Sequence, residues 1–428
     1  MRKHIGQALR ILTKVFTDGT YSNMAFYGEN VSDMATRLVY GVLEENVKID
    51  YILAQLLEKK PKNSIYYLLK IGVYALCNLT DVPKFAIVSE CVETCKAIGK
   101  GGASGFVNAV LKKVADGKYS LPSEKDENYL SVTYSKPQWF IDKMIAQYGK
   151  DVTIAMLQEP VRDSEHIRVN TRLATCQDVE FLLKKSKTPY EKSEVGGYIV
   201  RATDAVGRMF DKGLVTYQSP SSMLAVVALG ASDGETLLDV CSAPGGKAVY
   251  MSELCPHSHI TSCDIHEHRV ALIQKYKNRM HVPNVKAIKA DGTVFDENMC
   301  ERFDGVLVDA PCSCFGTYKK HPDVFLTRTD ESEEDISKTQ FAIISNVAKY
   351  VKKGGEMVYS TCTLFKEENE DIVQKFLESE IGKEFSLEKI CGLKDVDGGK
   401  YVDNDGMIQI LPHAEYDGFF IAKLRRAK

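Results

Sequence analysis

The chain has 428 residues, which at roughly 100–200 residues per domain implies two to four domains. Apolar residues make up 44% and charged residues 26%, ordinary globular values that exclude a disordered, collagenous or disulfide-stapled protein. Lysine and arginine number 55 against 58 aspartates and glutamates, a formal charge of −3, so any affinity for nucleic acid has to be local.

No apolar run approaches the roughly 18–20 residues of a membrane span. The basic start Met1-Arg2-Lys3-His4 is followed by Gln7, Arg10, Lys14 and Asp18 rather than by an apolar signal core. A cytoplasmic protein with no membrane association is expected. The twelve cysteines form no Cys-x-x-Cys pair, the nearest being Cys91 with Cys95 and Cys312 with Cys314. That spacing predicts reduced thiols, mostly core fillers, and no bound metal.

Residues 1–118 read as all-helical. Apolar pairs such as Ile11-Leu12 with Val15-Phe16, Leu38-Val39 with Val42-Leu43, and Ile52-Leu53 with Leu56-Leu57 recur at three-to-four spacing. Breakers at Asp18-Gly19, Pro61 and Asp81-Val82-Pro83 divide them into short bundled helices, and Gly99–Gly102 precede another over 106–114. The order of these segments, with Arg37-Leu38-Val39-Tyr40-Gly41 early and Gly105-Phe106-Val107-Asn108-Ala109-Val110-Leu111 late, resembles the RNA-binding domain of the antitermination factor NusB. A packing module without RNA contact is the alternative.

Residues 119–215 read as a small α/β linker subdomain. A helical piece over 137–148 is followed by extended pieces at 167–170 and 198–200. Lys184, Lys185, Lys187 and Lys192 with Arg168, Arg172 and Arg201 make it locally basic, as phosphate contact requires, although Glu180, Glu191 and Glu194 offset part of that charge.

From 216 to 428 short apolar runs alternate with helical stretches. Strands are predicted at 236–240, 259–264, 285–288, 305–309 and 356–360, the pattern of a mostly parallel sheet covered by helices on both faces. Ligands of such sheets sit at the carboxyl ends of the strands. After the first strand comes Cys241-Ser242-Ala243-Pro244-Gly245-Gly246-Lys247, whose glycines admit a close backbone approach and whose following helix offers free N–H groups. A Walker loop is excluded because Cys241 stands where its first glycine belongs and Ala248 follows Lys247, and no Gly-x-Gly-x-x-Gly is present.

Acidic residues follow the next strands. Asp264 suits the two hydroxyls of a ribose, and Asp291 suits an adenine amine, while a helix cap or turn is the plainer reading of either alone. The fourth and fifth strands end in Asp309-Ala310-Pro311-Cys312 and Thr361-Cys362-Thr363. Neighbouring strands would bring both thiols to one rim beside a carboxylate and a nucleoside site.

Asp239-Val240-Cys241-Ser242-Ala243-Pro244-Gly245-Gly246-Lys247, Val308-Asp309-Ala310-Pro311-Cys312-Ser313 and Ser360-Thr361-Cys362-Thr363 with Glu367-Glu368-Asn369 resemble the S-adenosylmethionine-dependent RNA cytosine-5 methyltransferases. The NusB-like start and the closing Asp417-Gly418-Phe419-Phe420-Ile421-Ala422-Lys423 are similar to the bacterial branch acting on 16S ribosomal RNA. The resemblance implies an α/β fold, with a Rossmann-like methyltransferase domain behind the all-α domain and the linker subdomain. S-adenosylmethionine is the implied cofactor, held by residues 241–247 with Asp264, Asp291 and Asp309. The implied partner is 16S rRNA before full subunit assembly, and the protein is expected to be a monomer.

Cys362 is then the nucleophile, Cys312 assists breakdown of the adduct, and Asp309 holds the base. Cys362 is expected to be partly ionised through a local positive field, and Asp309 to be protonated in a dry pocket when it works at the ring nitrogen. Lys247 is left between the methionine carboxylate and the base, and exchange of the two cysteine roles is the chemical competitor. Lys319-Lys320-His321 are candidates for the RNA backbone. The pattern departs from the family where Ser219 follows Gln218, where no Trp follows Pro322-Asp323-Val324, and where Thr363 replaces a serine. Transfer RNA as substrate, or a catalytically silent assembly factor, remain the alternatives.

Overall fold

Three-to-four apolar spacing over the first 118 residues folds into helices. In the computed structural model, which describes residues 1–160, 164–327, 333–390, 401–404 and 406–428, they run Arg2–Asp18, Ser22–Phe26, Asp33–Glu44, Asn46–Leu56, Asn63–Asn78, Lys84–Ala97 and Ser104–Ala115. Gly19 takes the left-handed conformation (φ 65°) that stops the first, and Ser32 caps the third by accepting from the Ala35 N–H. Helix Asn63–Asn78 is apolar all round and central, burying Leu68, Leu69, Ile71 and Val73 completely. A Cβ on Gly41 would lie 1.9 Å from the Tyr74 ring, so the glycine of the Arg37–Gly41 segment serves a helix crossing.

Met1–Gln158 forms one compact unit together with Tyr318–Thr329, and Glu159–Thr317 with Asp330–Lys428 forms the other. Within the first unit Asp323 is buried and accepts from Ser22 N–H (2.9 Å) and Ser22 Oγ (2.8 Å). Phe140 packs edge-on against Phe325 and Tyr318 at 5.0 and 5.6 Å. Lys319-Lys320-His321 therefore belong to this unit rather than to the sheet that carries Cys312.

The second unit holds two sheets. The smaller is antiparallel, with β1 (Glu165–Val169), β2 (Tyr190–Lys192), β3 (Tyr198–Val200) and β4 (Val215–Tyr217) in the order β2-β3-β1-β4. Two of its arginines are engaged inside the unit rather than open to phosphate. Arg168 is buried in an ion pair with Glu253, and Arg172 bonds to Ser252 and Asn284. Both act as internal ties, because a buried guanidinium needs partners more than a solvated one does. Glu180 likewise takes up Lys184 and Lys192.

The larger sheet joins β5 (Thr236–Val240), β6 (His259–Asp264), β7 (Val285–Lys289), β8 (Phe303–Asp309), β9 (Val351–Thr361), β10 (Phe385–Leu387), β11 (Tyr401–Asn404), β12 (Met407–Ile410) and β13 (Phe419–Arg426). Among the described residues the order is β11-β12-β13-β9-β8-β5-β6-β7, with β10 paired to β13. The five expected strands form its parallel half, and an antiparallel extension beginning at β13 lies beyond them. Helices Glu333–Val347 and Glu370–Glu378 supply Ile344, Val347 and Phe376 to one core, and helices Pro220–Leu229 and Gly246–Leu254 supply Leu224, Leu229 and Val249 to another. Asp309 pairs with Ser360 across β8 and β9, so the segments leaving those two strands start from one rim. Among the described residues no helix is long and apolar enough to cross a membrane.

Candidate active site

At the end of β5 the chain turns through Cys241 (φ 60°) and Gly245 (φ 106°) into helix Gly246–Leu254. At Gly245 a side chain would face both a disfavoured φ and Ile273 Cγ2 at 3.2 Å, which explains the residue type there. Ser262 Oγ donates to Ser242 Oγ, which donates to Asp239 Oδ2, each over 2.6 Å. Burial, and then Asp309, push the Asp239 carboxyl up to about 7 against the pull of Ser242 and Lys247. The Cys241 thiol is pushed up by burial and the surrounding carboxylates, and Arg269 Nη2 donates to the Ala243 carbonyl at 3.2 Å.

Asp264 is buried at the end of β6. One oxygen accepts from His266 N–H at 3.2 Å; the other has Arg269 Nε at 3.4 Å but no hydrogen bond. Asp291 uses Oδ1 in a tight turn with Thr293, the plainer of its two readings, while lining a cavity of about 250 Å³ with Val240, Cys263, Ala290 and Phe295. Gln218 Nε2 is buried without a partner, and the glutamine amide lies 3.7 Å from where a Cβ on Gly246 would stand. Gln218 was legible only as half of a motif.

The two thiols meet. Cys312 Sγ lies 3.2 Å from Cys362 Sγ and also accepts from the Cys362 N–H at 3.3 Å. Cys312 is buried and Cys362 half-buried. The two loops are tied by Ser313 Oγ to Thr363 Oγ1 (2.7 Å), which gives the departure at Thr363 a structural use. Glu368 accepts from Ser313 N–H and Gln340 Nε2, both at 2.9 Å, and Asn369 accepts from Thr361 Oγ1 at 2.5 Å. The Glu368-Asn369 pair thus clamps both cysteine segments from below, a task the motif alone did not disclose.

Charges around the sulfurs differ from expectation. The hydrogen bond from Cys312 pulls the Cys362 thiol down, but Cys314, burial and Asp309 together hold it above its ordinary value. The Cys312 thiol is raised by its hydrogen bonds to Cys314 and Cys362 and by burial. Within the pair the proton of Cys312 is the one that would stabilise charge on Cys362. Asp309 is not alone either, since Oδ2 accepts from Lys247 Nζ (2.7 Å) and Oδ1 from Ser360 Oγ (3.1 Å). Burial pulls the Lys247 ammonium down, yet Asp309, with Asp239 and Cys362, outweighs it and raises its pKa. Asp309 thus has a lysine ammonium as its immediate neighbour.

Residues 226–425 match a family described as 16S rRNA methyltransferase RsmB/F, and residues 6–116 match the NusB family. The probable ribosomal RNA small subunit methyltransferase B of Bacillus subtilis (strain 168) is 32% identical over 98% of each chain. The chain belongs to the RsmB/F family. A ribosomal RNA small subunit methyltransferase B of Pectobacterium atrosepticum is 29% identical over 94% of this chain and 93% of its own. Among solved structures, one described as PH0851 superposes over 100% of this chain and 99% of its own with a TM-score of 0.85 at 23% identity. NSun6 from Pyrococcus horikoshii with SFG covers 68% of this chain and 98% of its own at a TM-score of 0.58 and 21% identity. Both support the Rossmann-like fold.

RsmB/F enzymes are S-adenosylmethionine-dependent, and the residues here fit that cofactor. The buried Asp264 oxygen, in an ion pair with Arg269 but without a hydrogen bond, and the unpartnered Gln218 Nε2 are groups whose hydrogen bonding a polar ligand completes. The glycine turn leaves its helix N-terminus open beside them.

Proposed function

We propose that this chain methylates carbon 5 of a cytosine in 16S rRNA through a transient bond between Cys362 and carbon 6 of the ring. The observation that carries the reading is the 3.2 Å approach of Cys312 to Cys362 beside the Lys247–Asp309 pair. The names of the relatives favour small-subunit rRNA over transfer RNA.

S-adenosylmethionine, when bound, supplies an electrophilic methyl group. Asp264 would take its ribose hydroxyls, the cavity beside Asp291 its adenine, and the 241–247 turn with Gln218 its methionine end. Carbon 5 of cytosine is a weak nucleophile until a thiolate adds at carbon 6 and makes it enamine-like. Cys362, the less buried of the two residues, adds; the Cys312 S–H favours its thiolate in the approach to addition. Lys247, held charged by Asp309, donates to the ring nitrogen where negative charge develops, and Asp309 holds the exocyclic amine.

After methylation, carbon 5 must lose its proton as the carbon–sulfur bond to Cys362 breaks. The surroundings that raise the proton affinity of Cys312 suit it to accept that proton. Turnover releases one proton overall. Cys362 gives its proton to water as it adds to carbon 6, and Cys312 gives up its own once Cys362 is bonded to carbon; Cys312 then takes the proton from carbon 5, and Cys362, freed as a thiolate, regains one from water.

A stacked cytosine does not expose carbon 6, so the base is single-stranded or flipped, consistent with action before the subunit is fully assembled. Exposed Lys185, Arg208 and Lys212 surround a cavity of about 350 Å³ walled by Leu182, Met209 and Leu214, which supports an RNA-binding role for residues 119–215. Residues 1–118 are assigned to RNA binding on their NusB match. The enzyme acts as a cytoplasmic monomer. Cys362→Ala abolishes methylation and covalent complex, whereas Cys312→Ala accumulates a protein–RNA adduct on denaturing gels; the reverse pattern exchanges the roles. Bisulfite sequencing of RNA from a deletion strain decides between ribosomal and transfer RNA. A protein that binds no S-adenosylmethionine by calorimetry would be a silent assembly factor instead.

A further inference from the structure

Cys314 makes and breaks no bond in the steps above, although it raises the Cys312 thiol. It occupies the left-handed region (φ 65°), which side chains rarely adopt. In that conformation its sulfur lies 3.9 Å from Cys312 Sγ, and the sulfurs of Cys312, Cys314 and Cys362 all stand within 4.8 Å of one another. We propose that these three cysteines form a thiolate site for a soft divalent cation of the zinc type, whose occupancy blocks the enzyme reversibly.

Zinc–thiolate bonds of about 2.3 Å place the sulfurs of a tetrahedral site about 3.8 Å apart. The separations of 3.2 and 3.9 Å, with the third within 4.8 Å, bracket that value, so small side-chain adjustments close the site. Three thiols bind one divalent cation by releasing three protons, giving a complex of net charge −1. Lys247 lies close enough to Cys362 to offset that charge. Cys314 and Cys362 are half-buried, so the fourth coordination position is left for water. Thiolate sites favour such metals over magnesium or calcium, which seek oxygen ligands. The expectation of no bound metal rested on the absence of Cys-x-x-Cys; here one loop contributes Cys312 and Cys314 and the neighbouring strand end contributes Cys362.

That the site blocks the enzyme rests on the assigned roles of Cys312 and Cys362; that it binds metal does not. The test is titration of the full-length protein with cadmium ion, kept reduced with a phosphine, while the ultraviolet thiolate-to-cadmium charge-transfer band is recorded. Cys314→Gly, which suits the left-handed backbone, is titrated alongside, and the difference removes signal from the exposed Cys77, Cys176 and Cys300. The wild type is expected to saturate that difference at one equivalent. Cys314→Gly should lose it and, measured against its own metal-free rate, need at least about tenfold more zinc for half-inhibition. Coincident titrations of the two proteins, or no band at one equivalent, would overturn the site. A band lost in Cys314→Gly, with a zinc-loaded wild type still fully active, supports the site and counts against the catalytic roles instead.

Discussion

Asp239 keeps a proton in the folded protein that the unfolded chain has already lost, because its carboxyl is raised from 3.8 to about 7 by burial. Between those values the folded state binds more protons than the unfolded one, so stability falls as pH rises through the window and levels off above it. The drop is at most about 4 kcal/mol. Denaturant midpoints of Asp239→Asn should be flatter than those of the wild type from about pH 4 to 7; parallel curves would place the proton elsewhere. At Asp264 the unsatisfied oxygen makes a different prediction. Asp264→Ala should weaken S-adenosylmethionine binding by about 1–3 kcal/mol in calorimetry, through the loss of two ribose hydrogen bonds, and an unchanged Kd would remove Asp264 from the site.

At the scale of elements, the pairing of β8 with β9 starts the two cysteine segments from one rim, and the turn at Glu368-Asn369 ties both segments in place. Glu368→Ala leaves the Ser313 N–H unpaired in a buried place and the Gln340 Nε2 with the Pro311 carbonyl as its remaining acceptor, a cost of about 1–3 kcal/mol. The expected signature is a fall in kcat with S-adenosylmethionine affinity unchanged, because the clamp touches the thiol loops and not the 241–247 turn. A fall in cofactor affinity alone would contradict it. The loops themselves were legible in the sequence, since β5 to β8 are apolar runs followed by Asp, Gly or Pro and β9 is an apolar run that ends in Thr361-Cys362-Thr363. Three-residue strands such as β2, β4 and β10 carry too little periodicity to read, and β12 is buried throughout and shows no alternation. In the site, the motifs announced Cys312, Cys362 and Asp309. The Lys247–Asp309 bond was not announced, because 62 positions separate its members and only the folded sheet brings them to 2.7 Å.

Over the whole molecule, sequence order and packing order part company. Residues Tyr318–Thr329 leave the methyltransferase segment and complete the unit that begins at Met1. NusB-like helices could be read from spacing in the first 118 residues, but nothing in their pattern announces a partner 301 positions away. Asp323→Ala should lower the stability of the N-terminal unit by about 1–3 kcal/mol, since it strands a buried Ser22 hydroxyl and N–H. Hydrogen exchange at the Ser22 amide, faster in the variant, checks it; identical protection would show that the contact carries no weight.

That excursion sets an order of events during synthesis. The first helices emerge early, yet the carboxylate that secures Ser22 and the rings that cover Phe140 are translated more than 150 residues after the rest of their unit. Until then a nascent chain carries an unfinished N-terminal body, exposed to chaperones and proteases while the catalytic sheet is still being made.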